Sequence, residues 1–195
     1  QLRRRISVVA CGATFGDLIE VMRLATTGTH RDGGRVRHHA APPYLRIGLA
    51  RSLAATLAAT DATADLCREL RALDVESSTH AELPVHAFRR AGAEAERLYE
   101  LLTNTDPHRF DDLYAALPAH VRAAADSLSP IRVAQRLHAP VEIATAPDDT
   151  YFPIAEAQAL ADASPHVRLT LTSLFAHATP RFDLRSVPEL HGLYA

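Results

Sequence analysis

The chain has 195 residues and a formal net charge of −2 at neutral pH, and 47% of its residues are hydrophobic. This composition is typical of a folded globular protein, and without a basic excess the chain is not expected to bind nucleic acid. It contains no apolar run of the ~18 residues that a membrane span needs, and its two cysteines cannot form a disulfide framework, so a cytoplasmic location is expected.

A short β-branched stretch opens the chain. The continuous apolar run at residues 6–11, closed by Gly12, predicts a buried strand of a parallel sheet. Residues 17–25 carry apolar side chains at helical spacing, and Gly28 is expected to end this helix. Because the chain enters a strand at once, without an initial Met or a signal-peptide pattern, we expect it to be the later part of a longer protein.

The central part of the chain is predicted to be a loop followed by helices. Residues 29–43 are expected to form a loop, because Asp32-Gly33-Gly34 is a turn signal and Pro42-Pro43 resists regular structure. From residue 44 onward, leucines and other apolar residues recur at helical spacing. Residues 44–75 are predicted to contain two helices, with Asp61 or Thr63 as the cap of the second. Residues 84–103 are predicted to form another helix, and residues 106–127 two more, the last of which begins at Pro118.

After Ser129 short strands alternate with helices. Residues 140–146 predict a second buried strand, residues 154–163 a helix, residues 167–172 a third strand, and residues 184–193 a final helix. This order predicts an α/β fold with a parallel sheet, in which functional residues follow the carboxyl ends of the strands. Those ends are residues 11–16, 147–153 and 174–178.

Two of these strand ends carry side chains suited to proton transfer. Asp148 and Asp149 follow the second strand, and His177 follows the third. A carboxylate beside an imidazole fixes its tautomer and stabilises the imidazolium, so that the histidine can act as a general base. The alternative is that the aspartates only form a turn or cap the next helix, and that His177 is structural.

Residues 129–180 resemble the C-terminal part of the α/β-hydrolase superfamily. In that family a Pro-Val strand leads to a turn that carries the triad acid shortly before a proline, and the triad histidine follows the next strand. The matching residues are Pro140, Val141, Asp149, Pro153 and His177. Ala146 departs from the glycine that the family often has there. The resemblance implies that Asp149, rather than Asp148, is the triad acid and that His177 is the base.

The resemblance also implies an organisation for the whole chain. Residues 1–28 and 129–195 correspond to the hydrolase core and residues 29–128 to an inserted, mostly helical cap, which makes the expected fold a partial α/β-hydrolase fold. The implied activity is hydrolysis of an ester or lipid-like small molecule by a Ser-His-Asp mechanism, with no metal and no organic cofactor. The family's nucleophile lies in a Gly-x-Ser-x-Gly elbow. The sequence lacks this motif, so the serine is expected upstream and these residues alone are expected to be inactive.

Three other interpretations stay open. The first is a non-catalytic binding protein of the same fold. The second is a haloalkane or epoxide hydrolase, in which an aspartate replaces the serine. The third is a helical interaction domain in which Asp149 and His177 are incidental. Cys11 is in the correct order for a cysteine nucleophile, but Val9 stands where the elbow needs a small residue, which favours a buried structural thiol.

Two further expectations concern metals and self-association. His30, Asp32, His38 and His39 contain metal-ligating groups, but their spacing matches no zinc motif, so an exposed loop is expected. A sheet of three parallel strands has an open apolar edge, and such an edge favours aggregation or pairing into a homo-oligomer.

Overall fold

The computed structural model describes residues 6–74, 82–177 and 179–180. Within these residues it combines helices with a three-stranded parallel sheet, which confirms the predicted α/β class. The helix expected over residues 184–193 lies outside the described residues.

The bounds of most elements after residue 129 agree closely with those predicted. In chain order the elements are β1 (Val9–Gly12), α1 (Leu18–Thr27), β2 (Thr29–Asp32), β3 (Arg35–His38), α2 (Tyr44–Ala54), α3 (Asp61–Ala72), α4 (Val85–Arg90), α5 (Ala93–Thr103), α6 (Phe110–Ala115), α7 (Ala119–Ser127), β4 (Val141–Thr145), α8 (Ile154–Ala163), β5 (Val167–Leu171), β6 (Phe175–Ala176) and β7 (Thr179–Pro180). Two 3-10 turns, Pro130–Arg132 and Ala134–Arg136, precede β4.

The chain divides into two compact units. The sheet unit contains the described residues up to Asp17 and from Ser129 onward, and the helical unit runs from Leu18 to Leu128. The first boundary lies ahead of the one expected at residue 28, because α1 packs against β2, α2, α5 and α7 of the helical unit. That the helical unit acts as a cap stays a prediction.

The sheet unit is built around β4, the central strand. The strands are parallel in the order β1-β4-β5, with Val9 opposite Val141 and Val141 opposite Val167. Alternate residues of β4 are buried, as the period of a strand requires. Ile143 and Val167 form the core with Leu160 of α8.

The first strand is not buried, contrary to prediction. Ile6 and Val8 are 48% and 53% exposed, and Val9 is 37% exposed. The physical reason is that β1 lies at the edge of the sheet and pairs only with β4 among the described residues. Its apolar composition predicted burial, but an edge strand has a neighbour on one side only.

The chain leaves and re-enters the sheet unit at one place. The Ser129 hydroxyl donates a hydrogen bond to Asp17 Oδ1 at 3.1 Å, and the Ile131 N–H donates to the Gly16 carbonyl at 3.0 Å. Gly16 and Asp17 in turn donate their N–H groups to Oε2 of the buried Glu156, at 3.0 and 2.9 Å. These bonds hold residues 16–17 and residues 129–131 together and attach them to Glu156 of α8.

Gly16→Ala is expected to destabilise the sheet unit by about 1–3 kcal/mol, the usual range for overpacking. A Cβ atom at this position would lie 2.7 Å from the backbone oxygen of Glu156, so the backbone must move. Gly12→Ala is the matched control, since a Cβ there meets no atom within 4 Å. Urea unfolding of both variants measures the difference. Equal stability of the two variants would contradict the close approach.

In the helical unit, the loop predicted over residues 29–43 contains a β-hairpin instead. Strands β2 and β3 pair in antiparallel fashion, with Thr29 opposite His38. Gly33 and Gly34 form the two-residue turn with φ of +55° and +79°, the left-handed values that such hairpin turns require. The prediction was wrong because β2 and β3 are mostly polar and show no apolar alternation, although the turn signal itself was correct.

In the described parts of the range 44–127, the predicted helical character is confirmed. The segment predicted as one helix over 84–103 is two helices, because Gly92 between α4 and α5 has φ of +95°. Thr60, rather than Asp61 or Thr63, caps α3, and its hydroxyl accepts from the Thr63 N–H at 3.1 Å. The largest fully buried side chains of this unit are Met22, Leu24, Ile47, Leu53, Leu66, Leu70, Phe88, Leu98, Leu101, Leu102 and Phe110.

A buried arginine joins α1 to α6. Arg23 is 3% exposed and lies 4.2 Å from the centroid of the Phe110 ring. Its guanidinium pairs with Asp111 at 2.6 Å and with Glu20 at 3.3 Å. Although burial raises the pKa of Asp111, hydrogen bonds and charges from Arg23 and Arg31 outweigh it and hold that pKa below its ordinary value. The charge of Arg23 is therefore compensated where it is buried.

His30 of β2 is buried beside His39. The ring centroids are 6.2 Å apart, and His30 Nδ1 has no hydrogen-bond partner in the described part of the chain. Burial lowers the pKa of His30, and the charge of His39 adds to this, although the Arg31 backbone, Asp32 and Glu20 oppose it. The neutral imidazole is thus the form that the fold accommodates.

The helical unit is therefore expected to lose stability as the pH falls. Below the ordinary histidine pKa of about 6.5, His30 binds a proton in the unfolded chain but less readily in the folded chain, where its pKa is lowered. The free energy of unfolding therefore falls as the pH drops below about 6.5. Thermal unfolding at about pH 7.5 and 5.5 should show a smaller drop in Tm for His30→Gln than for the wild type. His38→Gln, at an exposed position of the same hairpin, should keep the wild-type drop. An equal drop in His30→Gln would contradict the prediction.

Candidate active site

The predicted strand ends of the sheet unit meet around His177. Phe15 follows β1, Phe152 follows β4 and His177 follows β5. The Phe15 and Phe152 ring centroids are 5.4 Å apart, and those of Phe152 and His177 are 5.6 Å apart. All three segments that the sequence singled out therefore contribute to one site at the carboxyl edge of the sheet.

A compact turn after β4 holds Asp149. The Asp149 N–H donates to the Ala146 carbonyl at 3.2 Å, with Pro147 at the position that prolines favour in such turns. Asp149 Oδ1 then accepts from the backbone N–H groups of Tyr151 at 2.7 Å and Phe152 at 3.2 Å, as aspartates do in turns. Asp149 does not cap α8, whose N-cap residue is Pro153.

A tight hairpin turn presents His177. The two-residue strands β6 and β7 pair in antiparallel fashion, and His177 follows the last residue of β6. Its φ is +52°, in the left-handed region that side chains other than glycine rarely adopt. Such strain persists only where the surrounding contacts determine the conformation, and it is concentrated at functional sites.

The structure brings Asp149 and His177 into direct contact. His177 Nδ1 lies 3.2 Å from Asp149 Oδ2, and the two side chains are 24% and 1% exposed. An ionised carboxylate only accepts hydrogen bonds, so Nδ1 carries the proton and donates. In the neutral imidazole Nε2 is then the unprotonated nitrogen, and it has no hydrogen-bond partner among the described residues. This arrangement is able to accept a proton from a nucleophile that approaches Nε2.

Aromatic rings enclose the imidazole. The Tyr151 ring is stacked on His177 with the centroids 3.8 Å apart and the planes 11° from parallel, while the Phe152 ring meets it edge-on. Sequence reasoning did not identify Tyr151 or Phe152 as site residues. The signal that could have identified them is their position between Asp149 and Pro153, since residues that close a turn around a buried carboxylate lie next to it in space.

The other candidate residues lie elsewhere or have other contacts. Asp148 is exposed, whereas Asp149 is buried. Cys11 lies within β1, opposite Ile143, and packs against the core of the sheet unit. Its thiol makes no hydrogen bond to His177 in the residues described. The position favours the structural role of Cys11 over that of a nucleophile.

The histidines of the hairpin form no recognisable metal centre. Across the described ranges, no group of three or more His, Cys, Asp or Glu side chains is arranged to hold a metal ion. His38 is exposed and His39 half-buried, but His30 is only 5% exposed, so the expectation of an exposed loop is wrong for His30. It is buried because the hairpin packs against α1.

Comparisons with known proteins do not assign the chain to a family. No protein-family model matches the chain, and no curated protein or solved structure matches it significantly. None of the helices in the described residues is long and apolar enough to cross a membrane.

Proposed function

We propose that this chain supplies the acid and the base of a serine hydrolase with an α/β-hydrolase fold. The observation that carries the proposal is the hydrogen bond between buried Asp149 and His177. It lies at the carboxyl edge of a parallel sheet, where α/β proteins place their functional residues. The acid after one strand and the histidine after the neighbouring strand agree with the chain order of that family. The helical unit would be the cap.

In this mechanism His177 moves the proton and Asp149 keeps the imidazole in place. A serine oxygen attacks the carbonyl carbon of an ester while its proton passes to His177 Nε2. His177 then gives that proton to the leaving alcohol as the carbon–oxygen bond breaks, which leaves the acyl group on the serine. A water molecule next attacks this acyl group and gives its proton to His177 Nε2. His177 returns a proton to the serine oxygen as the carboxylic acid product leaves. Asp149 holds the Nδ1 proton and balances the imidazolium charge. The proposal places the serine upstream of this chain.

The substrate we propose is a small ester or lipid-like carboxylic compound. Tyr151 and Phe152 place aromatic ring surface against the base, and Phe15 packs on Phe152, which favours an uncharged group next to the reacting carbonyl. An aspartate nucleophile, as in haloalkane and epoxide hydrolases, would use the same acid and base with a different elbow residue. A probe that reacts with an active serine distinguishes the serine nucleophile from the aspartate nucleophile.

The test is to express the complete reading frame that encodes this chain and to treat the product with a fluorophosphonate probe. We expect the probe to label one serine in a Gly-x-Ser-x-Gly elbow and expect labelling to be lost in His177→Asn. An aspartate at the elbow would assign alkyl-enzyme chemistry instead. A reading frame with neither nucleophile, or labelling that does not depend on His177, would contradict the proposal.

A further inference from the structure

Tyr151 contacts both members of the acid–base pair. Its backbone N–H donates to Asp149 Oδ1 at 2.7 Å, and its ring covers one face of the His177 imidazole at a centroid distance of 3.8 Å. The planes of the two rings are 11° from parallel, so the contact is face to face. Phe152 also donates to Asp149, but its ring lies 5.6 Å away from His177 and is inclined at 61°.

The hydrogen bond to Asp149 does not by itself fix the imidazole. A single bond of 3.2 Å between His177 Nδ1 and Asp149 Oδ2 holds one atom of the ring, and the ring plane remains free to tilt about it. Rotation of the ring by half a turn would exchange Nδ1 for a carbon and break that bond. A flat surface packed against one face opposes both motions, because either would drive ring atoms into Tyr151.

We propose that Tyr151 is a positioning residue whose ring fixes the plane of the His177 imidazole, so that Nδ1 faces Asp149 and Nε2 faces the reacting group. The role of this positioning in catalysis rests on the proposed function, whereas the stacking of the two rings is independent of it. The strained φ of +52° at His177 agrees with a side chain held by its surroundings. Stacking also persists when the imidazole is protonated, since a cation is attracted to the face of an aromatic ring.

The proposal distinguishes the ring of Tyr151 from its hydroxyl and from its bulk. Tyr151→Phe keeps the flat face and should preserve the orientation of His177. Tyr151→Leu keeps apolar volume but has no flat face, so it should release the imidazole plane. Phe152→Leu is the matched control, because it removes an aromatic ring that meets His177 only edge-on.

The measurement is the pair of ring 15N chemical shifts of His177 in this chain at about pH 8, where histidines are mostly neutral. The signals are assigned by their loss in His177→Asn. The wild type, Tyr151→Phe and Phe152→Leu should each show one tautomer with the proton on Nδ1. Tyr151→Leu should show a mixture, with the two nitrogen shifts moving toward each other. Nuclear Overhauser contacts from the Tyr151 ring to both ring protons of wild-type His177 should be present.

Three results would overturn the proposal. They are a single Nδ1–H tautomer in Tyr151→Leu, an equal mixture in Phe152→Leu, and the absence of Tyr151 contacts to His177 in the wild type. The last result decides the matter even if Tyr151→Leu does not fold. None of these measurements needs a substrate or a serine, so they fail or succeed independently of the probe labelling that tests the proposed function.

Discussion

Replacing His177 with asparagine is expected to lower kcat of the proposed hydrolase about 10⁴-fold or more, because the nucleophile loses its general base and the leaving group its acid. Asparagine tolerates the left-handed φ of +52° better than other side chains except glycine, so the hairpin turn should persist. The measurement is the steady-state hydrolysis of a p-nitrophenyl ester by the product of the complete reading frame. KM should change little, since the base acts mainly in the transition state.

His166→Asn is the control for this experiment. His166 is exposed and lies just before β5, so its replacement should leave both kcat and thermal stability unchanged. If His177→Asn kept the wild-type kcat while the His166 variant did the same, His177 would have no catalytic role. The binding-protein interpretation would then be favoured, and a ligand screen would replace the ester assay.

Asp149→Asn is expected to lower kcat by a similar factor, about 10⁴, through the tautomer of the base. The asparagine Oδ1 can still accept from the N–H groups of Tyr151 and Phe152, so the turn is kept. Its amide nitrogen, placed where Asp149 Oδ2 was, can only donate. His177 Nδ1 must therefore accept, and the proton moves to Nε2, where the base is needed unprotonated. Ester hydrolysis and the His177 15N shifts measure the two effects.

Asp148→Asn is the matched control, because Asp148 is adjacent in sequence but exposed. It should preserve kcat and the tautomer. Because Asp149 acts through His177, the double variant Asp149→Asn, His177→Asn should be no slower than His177→Asn alone. Additive losses in the double variant would contradict a shared role for the two residues.

The sequence predicts the architecture best where the local pattern and the tertiary environment agree. The helix over 154–163 was predicted with the bounds of α8, and β4 and β5 lie within the predicted strands. These segments are short, apolar and bounded by prolines or turn residues, so few alternatives compete. The contact between Asp149 and His177 follows from the general rule that neighbouring parallel strands end at the same edge of the sheet.

The features that the sequence did not predict depend on neighbours that are distant in the chain. The exposure of Val9 depends on whether a strand lies beyond β1, which local composition cannot show. The hairpin at residues 29–38 has polar strands, of which β3 is exposed and β2 is buried only at its start, where it packs against α1. The stacking of Tyr151 on His177 requires the turn after β4 and the turn after β5 to approach each other. Each is a tertiary effect that overrides a local pattern.

The hydrogen bonds between Asp17 and Ser129, and between Gly16 and Ile131, make the helical unit an exchangeable insertion. A segment whose two ends are already held together closes a loop, and doubling the length of such a loop costs only about 0.6 kcal/mol. Genetic replacement of residues 18–128 by a longer or shorter segment is therefore expected to leave these two hydrogen bonds in place. Under the proposed function, such a chain can acquire new substrates by recombination at two neighbouring points, while the Asp149–His177 pair is inherited unchanged.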